Sequence, residues 1–253
     1  MLPDERKRRI AELVTRRRGC SVEELSAELD VSETTIRRDL NDLEERNAIE
    51  RTHGGAMPVL DRLSEYQQRT VRNREAKRAI AERAVKEIHE GQVVLFDAGS
   101  TTLEISRQVE DDMAFTAVTV HPMLAYELGD TEADTRLTGG QLKPEQHRLT
   151  GPLARQAIER MNFDLVFLGL EGIDADAGLT TAYHDAARDK ELMVANSQQT
   201  AVVADHSKFD SQSIVQFADV ADVDMVLTDA SIPADFRDRM READVAVVDD
   251  LGG

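Results

Sequence analysis

Short apolar runs alternate with helical patterns from residue 92 onward, and this alternation limits the fold more than any other feature of the chain. Runs such as VVLFDAG, AFTAVTV, DLVFLGL and TAVVAD have the length of buried strands, and helical stretches fall near 150–161, 184–198 and 233–243. Strands that alternate with helices are typical of a parallel sheet covered by helices. The sequence therefore predicts an α/β domain with a mostly parallel sheet, in which ligands bind beyond the carboxyl ends of the strands.

The first 58 residues have a different pattern, that of three helices followed by a small hairpin. Apolar residues at helical spacing predict a helix over residues 3–19. Ser21 and Glu24 have the spacing of a capping box, which predicts the start of a second helix, and Ser32 is placed to cap a third. Three helices with a tight turn between the second and the third match helix-turn-helix geometry.

The third predicted helix has one polar and partly cationic face. At about 100° per residue, Thr34, Arg38 and Asn41 lie opposite the apolar stripe, and Thr35 and Arg37 lie on its flanks. A recognition helix in the major groove contacts base edges with residues near its N-terminus, so this face is a candidate DNA-binding surface. The alternative is an ordinary solvated helix surface, on which the arginines pair with neighbouring carboxylates.

An extended segment and two glycines follow the third helix. Residues 49–52 have strand character, and Gly54 and Gly55 are expected to form a turn that tolerates positive φ. Such a hairpin is a wing, along which Arg51 and His53 would lie near the phosphates of DNA. The complete set of candidate DNA contacts is Ser32, Thr34, Thr35, Arg37, Arg38, Asn41, Arg51 and His53.

The charge of the chain is strongly negative, with 31 basic and 49 acidic side chains and a formal net charge of −18. The first sixty residues carry 11 basic and 13 acidic groups, so the excess of acid lies almost wholly after residue 60. Many carboxylates with only six lysines resemble the proteins of extreme halophiles, in which net charge maintains solubility. The alternative is an ordinary acidic bacterial protein. In either case, a contact with nucleic acid should be local.

Several classes of protein and site lack support in the sequence. No apolar run approaches the roughly 18 residues of a membrane span, and no apolar stretch follows the N-terminal charges as in a signal peptide. The single cysteine, Cys20, excludes an internal disulfide, and the six histidines lack the spacing of metal ligands. We expect a cytoplasmic protein, away from membranes, that has no metal, no cofactor and no catalytic residue.

The segment DAGSTT, residues 97–102, is the strongest candidate ligand site in the α/β domain. A strand is expected to deliver Asp97, Gly99 to allow a tight turn, and Ser100, Thr101 and Thr102 to begin a helix. Hydroxyls and unpaired N–H groups at a helix N-terminus suit a phosphate monoester. The alternative is a simple Ser/Thr helix cap. The segment is neither a P-loop nor the G-x-G-x-x-G dinucleotide fingerprint.

Other polar residues and glycines at predicted strand ends are candidates for the same site. Lys190 lies on a predicted helix, where the alternative is a surface lysine that pairs with Asp189 or Glu191. Because lysine is rare in this chain, lysines near strand ends are informative, and an ammonium group beside a helix N-terminus would balance a phosphate dianion. The remaining candidates are Gly139, Gly140, Glu171, Asp205 and Lys208.

The stretch between the two domains is basic. We place a winged helix-turn-helix domain at residues 1–58, a linker at 59–75 and the α/β domain at 76–253. The basic cluster belongs either to a linker that carries a signal and touches DNA, or to a solvated helix packed on the second domain. Its members are Arg69, Arg72, Arg74, Lys77 and Arg78.

The segment SETTIRRDLNDLEERNAIERTHGGA resembles the N-terminal winged helix-turn-helix of the DeoR-type family of sugar-metabolism regulators. The resemblance extends to about residue 230 and thus covers nearly the whole chain. It implies that Thr34, Thr35, Arg37 and Arg38 contact DNA, and that the second domain senses an effector.

The second domain looks like the sugar-phosphate isomerase and CoA-transferase superfamily fold, which implies a phosphosugar pocket. The matching segments are residues 97–102, 139–140 and 169–173, Lys190 and DHSKF. The chain departs from the family at two places. Val120 and His121 stand where the family often has Thr-Asn, and Ala186 and Ala187 stand where it often has Glu-Ala. These positions would touch sugar hydroxyls rather than phosphate.

The resemblance implies a DNA-binding transcription regulator, most simply a repressor of fructose, glucose or glycerol catabolic genes that a phosphorylated sugar releases from double-stranded operator DNA. A homodimer or homotetramer is expected, because paired half-sites need paired recognition helices. One alternative is a sugar-phosphate isomerase-like enzyme with an accessory DNA-binding domain, and an activator also stays open.

In concentrated salt, phosphate contacts gain little from counterion release, so base-edge hydrogen bonds should provide more of the binding.

Overall fold

The computed structural model describes residues 3–17, 19–45, 48–52, 54–58 and 65–251. The chain divides into two units, Met1–Arg72 and Asn73–Gly253, and each is considered by itself. Among the described residues, no helix combines the length and apolar character needed to cross a membrane.

The N-terminal unit contains the three predicted helices and a small antiparallel sheet with strand order β1-β3-β2. The capping box is confirmed: the Ser21 hydroxyl accepts a hydrogen bond from the Glu24 amide at 3.1 Å, and the Glu24 carboxylate accepts one from the Ser21 amide at 2.7 Å. The elements are α1 (Pro3–Arg17), β1 (Cys20–Ser21), α2 (Val22–Leu29), α3 (Glu33–Glu45), β2 (Ile49–Arg51), β3 (Gly55–Pro58) and α4 (Glu65–Val71).

The apolar stripes of α1, α2 and α3 meet in one core, which is why these short segments are stable as helices together. Ile10, Leu13, Leu25, Ile36 and Leu40 are fully shielded from solvent. Each such side chain contributes about 1.5–3 kcal/mol on burial. The core therefore fixes which side of α3 faces inward and which side is left for other contacts.

Two ion pairs join α1 to α3 on the side next to this core. Arg6 Nε donates to the Asp39 carboxylate at 2.6 Å, and Lys7 Nζ donates to Asp42. Asp39 is 3% exposed, and its hydrogen bond raises the pKa of Arg6. The two carboxylates are thus directed towards α1.

The wing has the predicted position, but neither Gly54 nor Gly55 uses the freedom of glycine to adopt positive φ. Neither is among the described glycines that have a positive φ. Gly55 is needed for another reason: β1 pairs with β3 there, and a Cβ atom on Gly55 would lie 2.0 Å from the Cys20 carbonyl oxygen. The close approach of a two-residue strand, which the sequence pattern does not indicate, explains this glycine.

The second unit is the predicted α/β domain. Its helices are α5 (Arg74–Ala84), α6 (Ser100–Ser106), α7 (Pro122–Leu128), α8 (Pro152–Glu159), α9 (His184–Ala195) and α10 (Ala234–Glu242). Its strands are β4 (Val93–Phe96), β5 (Thr116–Thr119), β6 (Asp134–Leu137), β7 (Gln141–Lys143), β8 (Arg148–Thr150), β9 (Phe163–Leu168), β10 (Gly172–Asp174), β11 (Gly178–Thr181), β12 (Ser197–Val203), β13 (Val215–Ala218), β14 (Met225–Leu227) and β15 (Ala246–Val248).

Seven of these strands form one sheet in the order β15-β14-β12-β9-β4-β5-β6, and every neighbouring pair is parallel. Apolar side chains cover both of its faces, in two clusters of buried residues. Helices α8, α9 and α10 lie within the three stretches predicted as helical. The prediction of a mostly parallel α/β sheet is confirmed.

The strand order reverses between β4 and β9. From β4 the chain proceeds to β5 and β6 on one side, and it later returns through β9 to β12, β14 and β15 on the other side. In open parallel sheets, the carboxyl ends of the two strands at such a reversal border the crevice in which ligands bind. Two smaller antiparallel groups, β7-β8 and β10-β11-β13, accompany this sheet and were not predicted.

Candidate functional sites

The exposed side of α3 carries the polar residues that the helical projection placed there. Thr34, Arg38 and Asn41 are exposed, as is Arg37, which the projection places on the flank, and we call these four residues the α3 polar face. Thr35, on the flank, is half-buried. The spacing of three, four and seven residues brings the four side chains onto one strip of the helix.

Ser32 caps α3 and engages Thr35. The Ser32 carbonyl accepts hydrogen bonds from the amides of Thr35 at 2.9 Å and Ile36 at 3.1 Å. The hydroxyls of Ser32 and Thr35 lie 2.9 Å apart, within hydrogen-bond distance. Both candidates therefore help to form the helix start, which fixes the position of the α3 polar face.

The two arginines of this face differ in their partners. Arg37 Nη2 donates to Glu33 at 3.0 Å, in an exposed pair one helical turn apart. Arg38 makes no ion pair or hydrogen bond to any side chain that the structure describes. Asp39 and Asp42, its acidic neighbours in sequence, bind α1 instead. The salt-bridged surface considered as the alternative is thus present for Arg37 and absent for Arg38.

The wing candidate Arg51 lies against α3. Its Nη1 donates to the side-chain oxygen of Asn41, and its backbone amide donates to Glu44 Oε1 at 3.3 Å. His53, the other wing candidate, lies outside the described residues, so its proposed role stays a prediction.

The second candidate site lies at the strand reversal, where a buried ion pair joins two strands to α9. Asp97 follows β4, and its Oδ2 accepts hydrogen bonds from the Gly169 amide at 3.2 Å and from Lys190 Nζ. Lys190 Nζ also donates to the Gly169 carbonyl at 2.7 Å and lies 5.6 Å from the centre of the Phe217 ring. Asp97 is 3% exposed and Lys190 is 6% exposed.

The residues next to Lys190 on α9 have arginine partners. Asp189, which is 2% exposed, accepts hydrogen bonds from Arg148 Nη1 and from Arg155 Nε at 2.8 Å. Glu191 accepts a hydrogen bond at 2.8 Å from Arg188, which also lies on α9. The alternative in which Lys190 is a surface lysine paired with Asp189 or Glu191 is therefore wrong.

Thr102 is a structural cap of α6, as the alternative for this segment states. Its Oγ1 donates to the Asp97 carbonyl at 2.7 Å and accepts a hydrogen bond from the Gly99 amide at 3.0 Å. Gly99 has an extended φ of −146°, so the freedom of glycine is not used there. Ser100 is half-buried and Thr101 is buried, and both lie in the first turn of α6, where the amides have no partner within the helix.

Gly139 and Gly140 follow β6 at the same edge of the sheet. They have φ values of +76° and +108°. A Cβ atom on Gly140 would lie 2.5 Å from the Thr150 carbonyl oxygen, whereas a Cβ atom on Gly139 would meet no atom within 4 Å. Gly140 is therefore required by packing, and Gly139 by its backbone conformation.

Asp205 follows β12 at this edge and is held by residues from the start of α5 and from the turn that follows Asp205 itself. Its Oδ1 accepts hydrogen bonds from Asn73 Nδ2 at 2.7 Å and from the Ser207 hydroxyl at 2.5 Å. Burial raises the pKa of Asp205, but the hydrogen bonds from Ser207 and Asn73 and the charges of Lys77 and Lys208 outweigh burial and hold that pKa below its ordinary value. Asp205 is thus a buried carboxylate with cations beside it.

Glu171, which follows β9, is the last of the effector candidates. It is half-buried, and its amide donates to the Thr180 carbonyl at 3.1 Å. All of the predicted effector residues therefore lie after carboxyl ends of strands of the parallel sheet or, for Lys190, on α9 with its ammonium group at that edge.

Lys77 is a candidate that sequence reasoning missed. It is 4% exposed, and it shares the buried face of α5 with Ile80, Ala81 and Ala84. The sequence groups it with four arginines in the basic cluster around the start of the α/β domain. Its helical spacing to Ile80 and Ala84 is the signal that indicates burial.

His121, one of the departures from the family pattern, caps a helix. It is fully buried at the end of β5, and its Nδ1 accepts hydrogen bonds from the amides of Met123 at 3.1 Å and Leu124 at 3.4 Å. An imidazole that accepts at Nδ1 carries its proton at Nε2. Within the described part of the chain, no group of three or more potential metal ligands occurs.

Two family profiles together match most of the chain. Residues 6–59 match the DeoR-like helix-turn-helix domain, and residues 72–230 match the DeoR C terminal sensor domain. The HTH-type transcriptional regulator GlpR of Haloferax volcanii is 51% identical over 251 residues, which are 98% of this chain and 98% of that protein. The glycerol-3-phosphate regulon repressor of Escherichia coli K12 is 33% identical over 236 residues, 92% of this chain and 93% of the other.

A solved structure is also similar, at lower identity. Ribose 5-phosphate isomerase A of Methanocaldococcus jannaschii is 16% identical, and the alignment covers 54% of this chain and 55% of that chain with a TM-score of 0.41.

Proposed function

Because this chain belongs to the DeoR family of DNA-binding transcription regulators, we propose that its α/β domain binds a phosphorylated sugar and that this binding releases the chain from operator DNA. The Escherichia coli relative is named as a repressor of a glycerol-3-phosphate regulon. We extend repression of carbohydrate catabolic genes to this chain. The acidic composition is that of halophile proteins, so the relevant conditions include high salt.

The α3 polar face is the proposed reading surface for DNA. Arg38 supports this role most directly, because its guanidinium is exposed and no described side chain neutralises it. A guanidinium can bind the O6 and N7 atoms of guanine with two hydrogen bonds. Paired half-sites then require two copies of the chain, so we propose a homodimer or a higher symmetric oligomer.

The crevice between β4 and β9 is the proposed effector site, and the Asp97–Lys190 pair is the observation that supports it. A lysine ammonium has three donors, and the described contacts of Lys190 use two of them, to Asp97 and to the Gly169 carbonyl. We propose that the third donor binds a phosphoryl oxygen. The first turn of α6 follows Asp97, with Ser100 and Thr101 beside the same strand end.

Release from DNA requires that the effector bind one arrangement of the chain more tightly than another. The experiment is to titrate the full chain, bound in molar KCl to the promoter beside its own locus, with fructose, glucose and glycerol phosphates. We expect at least one phosphate ester to release the DNA and the unphosphorylated sugars to have no effect. Failure of every ester contradicts the proposed effector class, and isomerisation of an ester would support the enzyme alternative.

Arg38→Ala is expected to weaken operator binding more than binding to random DNA. A good bidentate contact to a base is worth about 1–3 kcal/mol, whereas phosphate contacts lose their counterion contribution in high salt. Fluorescence anisotropy with both duplexes in molar KCl measures the two affinities. Arg9→Ala is the matched control, because it removes the same charge from an exposed arginine of α1 that pairs with Glu12 in the same helix. Equal weakening of operator and random DNA by Arg38→Ala would contradict base recognition.

A further inference from the structure

The wing strand and the recognition helix are joined by one side-chain pair. Arg51, the last residue of β2, donates from Nη1 to the side-chain oxygen of Asn41 on α3. The Arg51 amide donates to Glu44, one turn further along α3. The Arg51 Nε atom is buried, and Arg51 as a whole is half-buried.

This contact determines the orientation of the Asn41 amide. A guanidinium has donors only, so the atom of Asn41 that faces it must be the oxygen. The two N–H donors of Asn41 Nδ2 then face away from Arg51. Asn41 itself is exposed and lies on the α3 polar face, in line with Thr34 and Arg38. In the held orientation, Asn41 offers its two donors to a ligand, while its oxygen faces Arg51.

We propose that Arg51 is a positioning residue for DNA recognition, which holds the Asn41 amide so that Asn41 donates to acceptor atoms on base edges in the major groove. Those acceptors are N7 and O6 of guanine, N7 of adenine and O4 of thymine. The inference rests on the proposed role of the α3 polar face. It gives Arg51 a different task from the phosphate contact that its place on the wing suggests.

The two tasks differ in their dependence on salt. A residue that neutralises a phosphate contributes about 0.9 to the slope of log affinity against log salt, for every DNA sequence. A positioning residue changes affinity for the operator and leaves that slope unaltered. The salt slope therefore distinguishes the two roles of Arg51 whatever the absolute affinity of the chain for DNA.

The test compares the full-length chain with Arg51→Ala, Asn41→Ala and the double variant, by anisotropy with operator and random duplexes over a series of KCl concentrations. We expect Arg51→Ala to weaken operator binding about tenfold, the lower end of a base contact. We expect random-duplex affinity and the salt slope to stay as in the unaltered chain. The double variant should be no weaker than the weaker single variant, because both remove the same contact.

Arg9→Ala is the matched control, because Arg9 is an exposed arginine of α1 whose partner is Glu12 in the same helix. It removes the same charge and should leave the affinities for the operator duplex and the random duplex unchanged. Thermal unfolding of each variant reports whether the winged domain is intact.

Three results would overturn the proposal: a salt slope lowered by Arg51→Ala, additive effects of the two substitutions, or an operator affinity that Arg51→Ala does not alter. Arg38→Ala in the same assay separates this failure from failure of the proposed reading surface. If Arg38→Ala lowers operator affinity and Arg51→Ala does not, only the positioning role is lost.

Discussion

Replacement of Lys190 by methionine is expected to destabilise the α/β unit by about 3–5 kcal/mol, the usual consequence of leaving a buried charge without its partner. Asp97 would keep the hydrogen bond from the Gly169 amide but lose the ammonium group. Because Asp97 is 3% exposed, its carboxylate would be left buried without a cationic partner. Urea unfolding at constant KCl concentration measures the change without altering the ionic strength.

A second substitution distinguishes stability from effector binding. Lys190→Met combined with Asp97→Asn removes both charges, and we expect it to regain most of the lost stability. This double variant should bind operator DNA and fail to release it when the phosphate ester is added. Lys86→Met, at an exposed lysine, should change the free energy of unfolding by less than about 0.5 kcal/mol. An unaltered urea midpoint for Lys190→Met would contradict the role assigned to the pair.

Asp189→Ala is expected to have an effect of similar size, about 3–5 kcal/mol. The Asp189 carboxylate accepts hydrogen bonds from Arg148, from Arg155 at 2.8 Å and from the Thr150 hydroxyl at 3.0 Å. Arg148 is 5% exposed, and its remaining carboxylate partner, Asp185, lies 2.9 Å away. Removal of Asp189 therefore leaves excess positive charge buried where β8, α8 and α9 meet.

Salt distinguishes this buried network from the surface pairs of the same helix. Charges in water are screened over about 3 Å at 1 M salt, and buried pairs are screened much less. The loss of stability in Asp189→Ala should therefore persist from low to molar KCl. Arg188→Ala is the control, because the Arg188 side chain is 60% exposed and pairs with Glu191. We expect a change below about 0.5 kcal/mol at any salt concentration. Recovery of Asp189→Ala at high salt would contradict this account.

The large elements of the fold could be predicted from the sequence because their patterns are strong. The alternation of apolar runs with helices predicted the parallel sheet, and the capping box predicted the start of α2. The missed strands are short or exposed: β1 has two residues, and β7 is largely exposed. Pairing in such strands depends on residues distant in the chain, such as Gly55 against Ser21.

The sequence predicts which residues belong to the candidate sites, but it does not predict which residues they contact. The sequence indicates that Asp97 follows a strand and that lysine is rare, but the partner of Lys190 is 93 residues away along the chain. Lys77 was missed because a charged side chain is ordinarily taken as exposed. Likewise, the sequence does not distinguish Arg37 from Arg38. That difference depends on the direction of neighbouring carboxylates in the folded unit.

The ion pairs of α3 with α1 separate the residues of α3 that hold the fold from those that are exposed. Asp39 and Asp42 form ion pairs with residues of the first helix, whereas Thr34, Arg38 and Asn41 are not part of the buried core. Surface substitutions away from packed or paired groups change stability by about 0.5 kcal/mol or less. If the α3 polar face reads DNA as we propose, a lineage can therefore exchange this outer strip, and with it the promoters it controls, while inheriting the inner strip intact.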